Sequence, residues 1–297
     1  MHQVTRQLED LGVSYRQNEP MSRHTTFKAG GTAKIFIEPK NENELLNVIN
    51  ILENTGIKYM TIGCGSNLLV RDSGYGGAII SMCALNSLKI EGDTLYVMAG
   101  ARLSNTCMFA LDNGLTGMEF AGGIPGSVGG GLFMNAGAYG GEMKDIVTGA
   151  SVIRDGKLIH LSLEQLELGY RHSSIERDGG IITQVEMTLS RGDVGEARAK
   201  LKELNRRRKE KQPLEYPSAG STFKRPEGHF AGALIEGAGL KGCRIGGACV
   251  SEKHAGFIVN DNNATADDII SLIEHVKKVV LDKYGVELTP EVRIIGD

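Results

Sequence analysis

Two glycine-rich stretches are the residues of this chain best suited to chemistry: GCGSN at 63–67 and GGIPGSVGGG at 122–131. A glycine has no Cβ, so a turn built from glycines lets several backbone N–H groups approach one anion, and pyrophosphate is an anion that such turns hold well. The first stretch offers Gly63, Cys64, Gly65, Ser66 and Asn67. The second runs through Gly122, Gly123, Ile124, Pro125, Gly126 and Ser127 to Gly129 and Gly130. The side chains of Ser66, Asn67, Ser127 and Asn135 can supplement the backbone donors. For either stretch alone, tight turns in a strand-rich protein are the competing reading. Two together favour a dinucleotide held mainly by backbone, between two subdomains. Neither stretch contains GxGxxG and the chain has no GxxxxGK[ST], which argues against a Rossmann domain and a P-loop enzyme. Around the second stretch the density is extreme, with eleven glycines in the twenty-eight residues from Gly114 to Gly141.

The rest of the composition is that of an ordinary globular protein. Of 297 residues, 41% are hydrophobic and 23% charged, while glycine, at 40 residues, is nearly twice its usual share of about 7%. The net charge of −3 offers no general attraction to nucleic acid or to an anionic membrane. The start, MHQVTRQLEDLG, is polar and unlike a signal peptide, and no apolar run reaches the roughly 18 residues of a membrane span. Five cysteines without a CxxC pair fit reduced thiols, so a soluble cytoplasmic protein is expected. His24, His172 and His229 lack metal-ligand spacing, and no metal is expected. Without a coiled-coil heptad or an obvious apolar patch, the expected state is a monomer.

Positioning these turns requires a mixed α+β framework. Leu45, Val48, Ile49 and Leu52 recur at helical spacing over 42–55, between candidate strands at 33–39 and 58–63, which predicts a β–α–β unit. A further apolar run follows at 78–81. Short strands then alternate with turns through the middle third, interrupted by a short helix at about 104–113. A charged helix is predicted over 194–211, its RRRKEK run read as a solvated face and Pro213 as a stop and domain boundary. The clearest helix spans about 266–284, with Thr265 as N-cap, Asp267 and Asp268 in its first turn, and Gly285 at C′. Ile269, Leu272, Ile273, Val276 and Val280 are its predicted buried stripe. A last strand follows at VRIIG.

Seven motifs in order carry a resemblance: HTTFKAGG (24–31), GCGSNLLV (63–70), AGGIPGSVGGGLFMNAGAYGGE (121–142), YRHSS (170–174), AGSTFKRP (219–226), KHAGFIVN (253–260) and PEVRIIG (290–296). On these the chain is similar to the UDP-N-acetylenolpyruvoylglucosamine reductases. The resemblance implies two α+β subdomains of the vanillyl-alcohol oxidase / p-cresol methylhydroxylase type with FAD between them, plus a C-terminal α/β substrate-binding domain. It places the first FAD subdomain at 1–83, completed by 286–297, the second at 84–205, and the substrate domain at 206–285. It further implies that NADPH reduces a non-covalent FAD. The enolpyruvyl ether of UDP-N-acetylglucosamine then receives hydride from flavin N5 at its β-carbon and a proton at its α-carbon, giving UDP-N-acetylmuramate for the bacterial wall.

By the same resemblance Arg171, Ser221 and Glu291 are the catalytic set. Hydride addition pushes electron density onto the substrate carboxylate, so a fixed cation there and a proton donor at the α-carbon are what the reaction needs. Arg171 suits the carboxylate because a guanidinium is always charged and binds in bidentate fashion. Ser221 is the implied proton donor, and Glu291 is expected protonated or tightly hydrogen-bonded beside the developing dianion. Read in isolation, a surface Arg, a turn Ser and a solvent-facing Glu would be the simpler readings. The FAD is expected to touch the two glycine turns together with Asn135, Ala138 and Tyr139, while Lys211, Arg225 and His254 are expected at the UDP-sugar. Cys64, between two glycines, falls among the expected flavin contacts, and a buried inert thiol is the simpler reading of it. From Arg171 to Ser221 is 50 positions, with Tyr216 near the end, which resembles the shorter subclass lacking a tyrosine-bearing insertion. The alternatives are another FAD-dependent oxidase or dehydrogenase on the same fold, or a non-catalytic nucleotide-binding module; the joint presence of Arg171, Ser221 and Glu291 argues against the module.

Overall fold

The structure, a computed structural model, describes residues 2–297. It comprises two compact units. The first takes the chain through Arg16, then Ile35–Cys64 and Gly77–Arg207; the second takes Gln17–Lys34, Gly65–Gly76 and Arg208–Asp297.

In the first unit the helix predicted over 42–55 forms at Glu42–Asn54. Asn41 caps it, its Oδ1 accepting from the Glu44 N–H at 2.9 Å, and Leu45, Val48, Ile49 and Leu52 are buried. That burial is what holds so short a helix in place, since propensity alone does not. The strands flanking this helix, Thr32–Glu38 and Tyr59–Ile62, belong to a four-stranded sheet in the order Ser14–Pro20, Thr32–Glu38, Tyr75–Ser81, Tyr59–Ile62. The β–α–β unit therefore has a later strand inserted between its two strands. Tyr59–Ile62 and Tyr75–Ser81 run parallel, with Ile62 opposite Ser81.

The middle third folds as a five-stranded antiparallel sheet in the order Lys157–Ser162, Val147–Arg154, Ile181–Thr188, Thr94–Met98, Leu88–Glu91. Its inner positions, among them Leu95, Val97, Ala150, Val152, Val185 and Met187, join one core with the helices Leu103–Asp112 and Val128–Phe133. The second helix lies inside what reads in the sequence only as glycine turns. It forms because Ser127 is its N-cap, accepting from the Gly130 N–H at 3.2 Å.

In the second unit the C-terminal helix spans Ala266–Tyr284 with a reciprocal Thr265–Asp268 capping box and Gly285 in the left-handed conformation at φ 67°. Ile269, Leu272, Ile273, Val276 and Val280 are all fully buried, as their spacing predicts. They form one core with the three-stranded sheet Arg244–Ile245, Ala248–Val250, Ile258–Asn260. The Asp72 carboxylate accepts from the Ala266 and Asp267 N–H groups at 3.0 and 2.9 Å, so the 65–76 segment is tied to the first turn of this helix. The last strand, Arg293–Ile295, pairs in parallel with Leu68–Val70.

The charged helix forms at Val194–Lys211 and stops before Pro213. Arg206 and Arg207 reach back to Glu203 and are more than half exposed, but Arg208 is only 6% exposed. The RRRKEK run is thus not uniformly a solvated face. No helix among the described residues is long and apolar enough to cross a membrane.

Candidate active site

Within the first unit the two glycine turns touch. Gly63 follows the strand Tyr59–Ile62, and a Cβ added there would lie 2.1 Å from Ser127 Oγ, so only glycine lets the turns meet. A single antiparallel bridge joins Ser127 to Arg102, made by the Leu103 N–H to Gly126 O at 3.1 Å and the Val128 N–H to Ala101 O at 2.8 Å. The N–H groups of Gly63, Cys64, Gly123, Gly126 and Ser127 have no acceptor among the described residues. Five such donors on two abutting turns are the set a pyrophosphate requires, so these residues fit a dinucleotide cofactor. Gly129 and Gly130 contribute differently: their N–H groups are engaged by Ala99 O at 2.8 Å and by Ser127 Oγ. Gly122 donates to Glu119 O at 3.3 Å and Ile124 to Ala121 O at 2.9 Å, which closes the turn ahead of Pro125.

Gly65, Ser66 and Asn67 fall in the second unit. Gly65 has φ +61° and its Cβ position lies 1.9 Å from the His24 carbonyl oxygen. The Thr26 N–H donates to Gly65 O at 3.1 Å, which joins the HTTFKAGG motif to the GCGSN motif.

Arg171 sits at the tip of a tight turn. Gly169 and His172 exchange backbone hydrogen bonds at 3.1 and 3.2 Å, and Arg171 occupies the left-handed region at φ 52°, with its guanidinium 5.3 Å from the Tyr170 ring centroid. A non-glycine residue there costs about 1–2 kcal/mol, so neighbours must hold the turn. Three buried side chains do so. Ser173 Oγ donates to Phe133 O at 2.8 Å, Ser174 Oγ donates to Gln165 O at 2.7 Å, and Asn135 Nδ2 donates to Gly169 O at 2.9 Å. Asn135 also donates to Glu142 Oε2 at 2.6 Å and accepts from the Lys144 N–H at 2.9 Å. Both amide protons of this 1%-exposed side chain are therefore spent within the protein. Ala138 lies in the short hairpin Gly137–Ala138/Gly141–Glu142, and Tyr139 at its tip is exposed.

In the second unit Thr222 is the hub that brings Ser221 and Glu291 together. The Glu291 N–H donates to Thr222 O at 2.8 Å, the Thr222 N–H to Gly256 O at 2.8 Å, and the Ile258 N–H to Thr222 Oγ1 at 3.0 Å. Thr222 is fully buried, whereas Ser221 beside it is exposed and Glu291 half-buried. Asn67 Nδ2 donates to Glu291 O at 3.0 Å, linking the first glycine motif to this pair. His254 Nδ1 accepts from the Gly256 N–H at 3.1 Å and its ring meets Phe257 edge-on at 4.9 Å. Burial pushes its pKa down, which favours the neutral ring, and Nδ1 as acceptor leaves Nε2 to carry the proton. The Arg225 guanidinium stacks over the Phe230 ring at 4.0 Å, and Phe230 is 62% exposed. Lys211 is exposed at its helix end.

Sequence reasoning missed the buried supports Ser173, Ser174 and Thr222, and it missed Arg102. Only the hydroxyl-rich composition of YRHSS and AGSTF hinted at the supports. No local signal could have placed Arg102 beside Ser127. Among the described residues no group of three or more His, Cys, Asp or Glu is placed to hold a metal.

Comparison with known proteins agrees with these motifs. Residues 33–162 match the family described as FAD binding domain, and residues 212–295 match UDP-N-acetylenolpyruvoylglucosamine reductase, C-terminal domain. The chain is 52% identical over 281 residues to the UDP-N-acetylenolpyruvoylglucosamine reductase of Clostridium botulinum, covering 94% of this chain and 92% of that one. It is 49% identical to the enzyme of that name from Caldanaerobacter subterraneus, covering 94% and 93%. Among solved structures, that of UDP-N-acetylenolpyruvylglucosamine reductase from Thermus caldophilus superposes with a TM-score of 0.81 at 34% identity, over 96% of this chain and 99% of the other. A berberine bridge enzyme variant shares the fold alone, with a TM-score of 0.51 at 16% identity, over 64% of this chain and 44% of the other. The architecture is therefore the α+β FAD-binding fold with a C-terminal domain of its own, and the chain is an FAD-binding oxidoreductase that belongs to the UDP-N-acetylenolpyruvoylglucosamine reductase family.

Proposed function

We propose that this protein reduces the enolpyruvyl ether of UDP-N-acetylglucosamine to UDP-N-acetylmuramate with NADPH as hydride source, in the cytoplasm and as a monomer. The observation that carries this reading is the Thr222 hub: it joins Ser221 to Glu291 by backbone pairing in a chain about half identical to reductases of that name. FAD, when bound, supplies a hydride acceptor and donor at flavin N5. The chain's own residues do the remainder. The abutting turns at Gly63–Cys64 and Gly122–Ser127, with Gly65–Asn67, Ala138 and Tyr139, hold the cofactor, while Gly129, Gly130 and Asn135, whose donors are engaged within the protein, keep those segments in shape. The Arg171 guanidinium binds the substrate carboxylate and stabilises the charge that accumulates there as the β-carbon gains hydride. The Ser221 hydroxyl delivers a proton to the α-carbon, and Glu291 shares the hydrogen bonding around that centre. Lys211, Arg225 and His254 contact the diphosphate and sugar. In domain terms, 1–83 with 286–297, and 84–205, carry the cofactor, and 206–285 carries the substrate.

The test separates the two half-reactions. In Ser221→Ala, NADPH should bleach the bound flavin at the parent rate, while reoxidation by the enolpyruvyl UDP-sugar slows by a factor of at least about 10². Equal loss in both half-reactions would make Ser221 a structural residue. Fast reoxidation by oxygen with no response to the UDP-sugar would mark a different flavin oxidase.

A further inference from the structure

The parallel pair Tyr59–Ile62 and Tyr75–Ser81 ends with Ile62 opposite Ser81, and the Met82 N–H carries the ladder one bond further by donating to Ile62 O at 2.9 Å. Cys64 and Cys83 each follow two residues beyond this last pair of the ladder. Adjacent strands run about 4.8 Å apart, inside the Cα separation of about 4.4–6.8 Å that a disulfide spans. Cys83 Sγ donates to Gly63 O at 3.4 Å, so its sulfur lies over the peptide that leads into Cys64. Each thiol shifts the other's titration, and the charge of Arg102 acts on both. Both are free thiols, Cys83 exposed and Cys64 half-buried.

We propose that Cys64 and Cys83 form a reversible dithiol–disulfide site, oxidised by hydrogen peroxide, at the edge of the first glycine turn. The neighbouring Cys64 favours the thiolate of Cys83 and draws its pKa down, with Ser81 and Arg102 assisting; the same pairing pushes the Cys64 pKa up. Cys83, the exposed one of the two, is the attacking sulfur. Its thiolate displaces hydroxide from hydrogen peroxide, breaking the O–O bond to give a sulfenic acid; the hydroxide takes a proton and leaves as water. With the Cys83 negative charge gone, Cys64 loses what held its proton. Its sulfur then attacks the sulfenic sulfur, the S–S bond forms, and the second hydroxyl leaves as water with the Cys64 proton. Two electrons pass from the thiols to one peroxide, giving one disulfide and two waters. The other cysteine of this unit, Cys107, is fully buried and burial pushes its thiol up to about 12, so it stays protonated and out of reach.

The test uses the full-length FAD-loaded protein, exposed to hydrogen peroxide in small molar excess and then alkylated with iodoacetamide. The expected result is loss of two of the five thiols, an intact mass lower by two hydrogens, and a non-reduced Cys64–Cys83 linked peptide that dithiothreitol separates. Cys83→Ser keeps its basal turnover, loses the linked peptide, and leaves Cys64 open to alkylation after the same dose. Sulfinic or sulfonic products at Cys83 without a linked peptide would overturn the proposal. So would linkage between two protein molecules, or unchanged alkylation of both cysteines.

Discussion

Asn135→Ala is the most informative single substitution because every polar atom it removes has a named partner. The change deletes the hydrogen bonds to Gly169 O at 2.9 Å and to Glu142 Oε2 at 2.6 Å, and leaves the Lys144 N–H without its acceptor. A neutral hydrogen bond contributes about 1 kcal/mol and one to a charged group about 1.5–3, with a further penalty for partners left buried. Asn135 also holds φ at 41°, where asparagine is tolerated and alanine costs about 1 kcal/mol more. Together these predict a destabilisation of about 5 kcal/mol. Asn135→Gly loses the same hydrogen bonds without the backbone strain and should be about 1 kcal/mol less destabilised than the alanine variant. Urea unfolding of the FAD-saturated proteins, extrapolated linearly to water, measures both. An alanine variant within about 1 kcal/mol of the parent, or a glycine variant no more stable than the alanine one, would refute the reasoning. Because Gly169 opens the Arg171 turn, the same substitution should also raise KM for the UDP-sugar. In an Arg171→Ala background it should cost little further activity, since the arm it positions is already gone.

Two further substitutions probe packing and charge. Gly65→Ala puts a Cβ 1.9 Å from the His24 carbonyl oxygen at φ +61°, and should cost more than about 3 kcal/mol in the same unfolding assay. Gly56→Ala, at φ +63° with nothing within 4 Å, should cost only the backbone strain of about 1 kcal/mol; equal costs would mean that the His24 contact is unimportant. The Asp268 carboxylate accepts from the Gly247 and Thr265 N–H groups at 3.1 and 3.0 Å, which lowers its pKa in the folded chain. A depressed folded pKa contributes stability that is present above the unfolded value and is lost as pH falls through the folded one. The stability difference between the parent and Asp268→Asn should therefore shrink as pH drops from about 6 to about 3, and a difference independent of pH would exclude the charge as its source.

The C-terminal helix shows how much can be read locally. Its cap, its first-turn acids, its five-residue stripe and its αL glycine are all set by neighbours within a few positions, and each is found where its spacing places it. The helix Val128–Phe133 was not legible, because three glycines in six residues argue against a helix until Ser127 caps it and the Ala99 and Ala101 carbonyls take its first N–H groups. Arg208 reads as one more charge in a basic run, and its burial depends on packing that no local pattern encodes.

By itself the sequence determined the longer amphipathic helices and the strands around them, the phosphate-suited turns and, through seven ordered motifs, the family. Periodicity, capping and turn chemistry act over short spans and leave their mark in residue order. Only the tertiary structure decided which distant residues meet. It set Gly63 against Ser127, tied Ser221 to Glu291 through Thr222, used Asn135 to join the Arg171 turn to Glu142, and brought Cys83 against the peptide that leads into Cys64. Those pairings follow from strand register and from buried polar groups that must find partners. Both are set by the packing of whole elements rather than by the residues beside them in the chain.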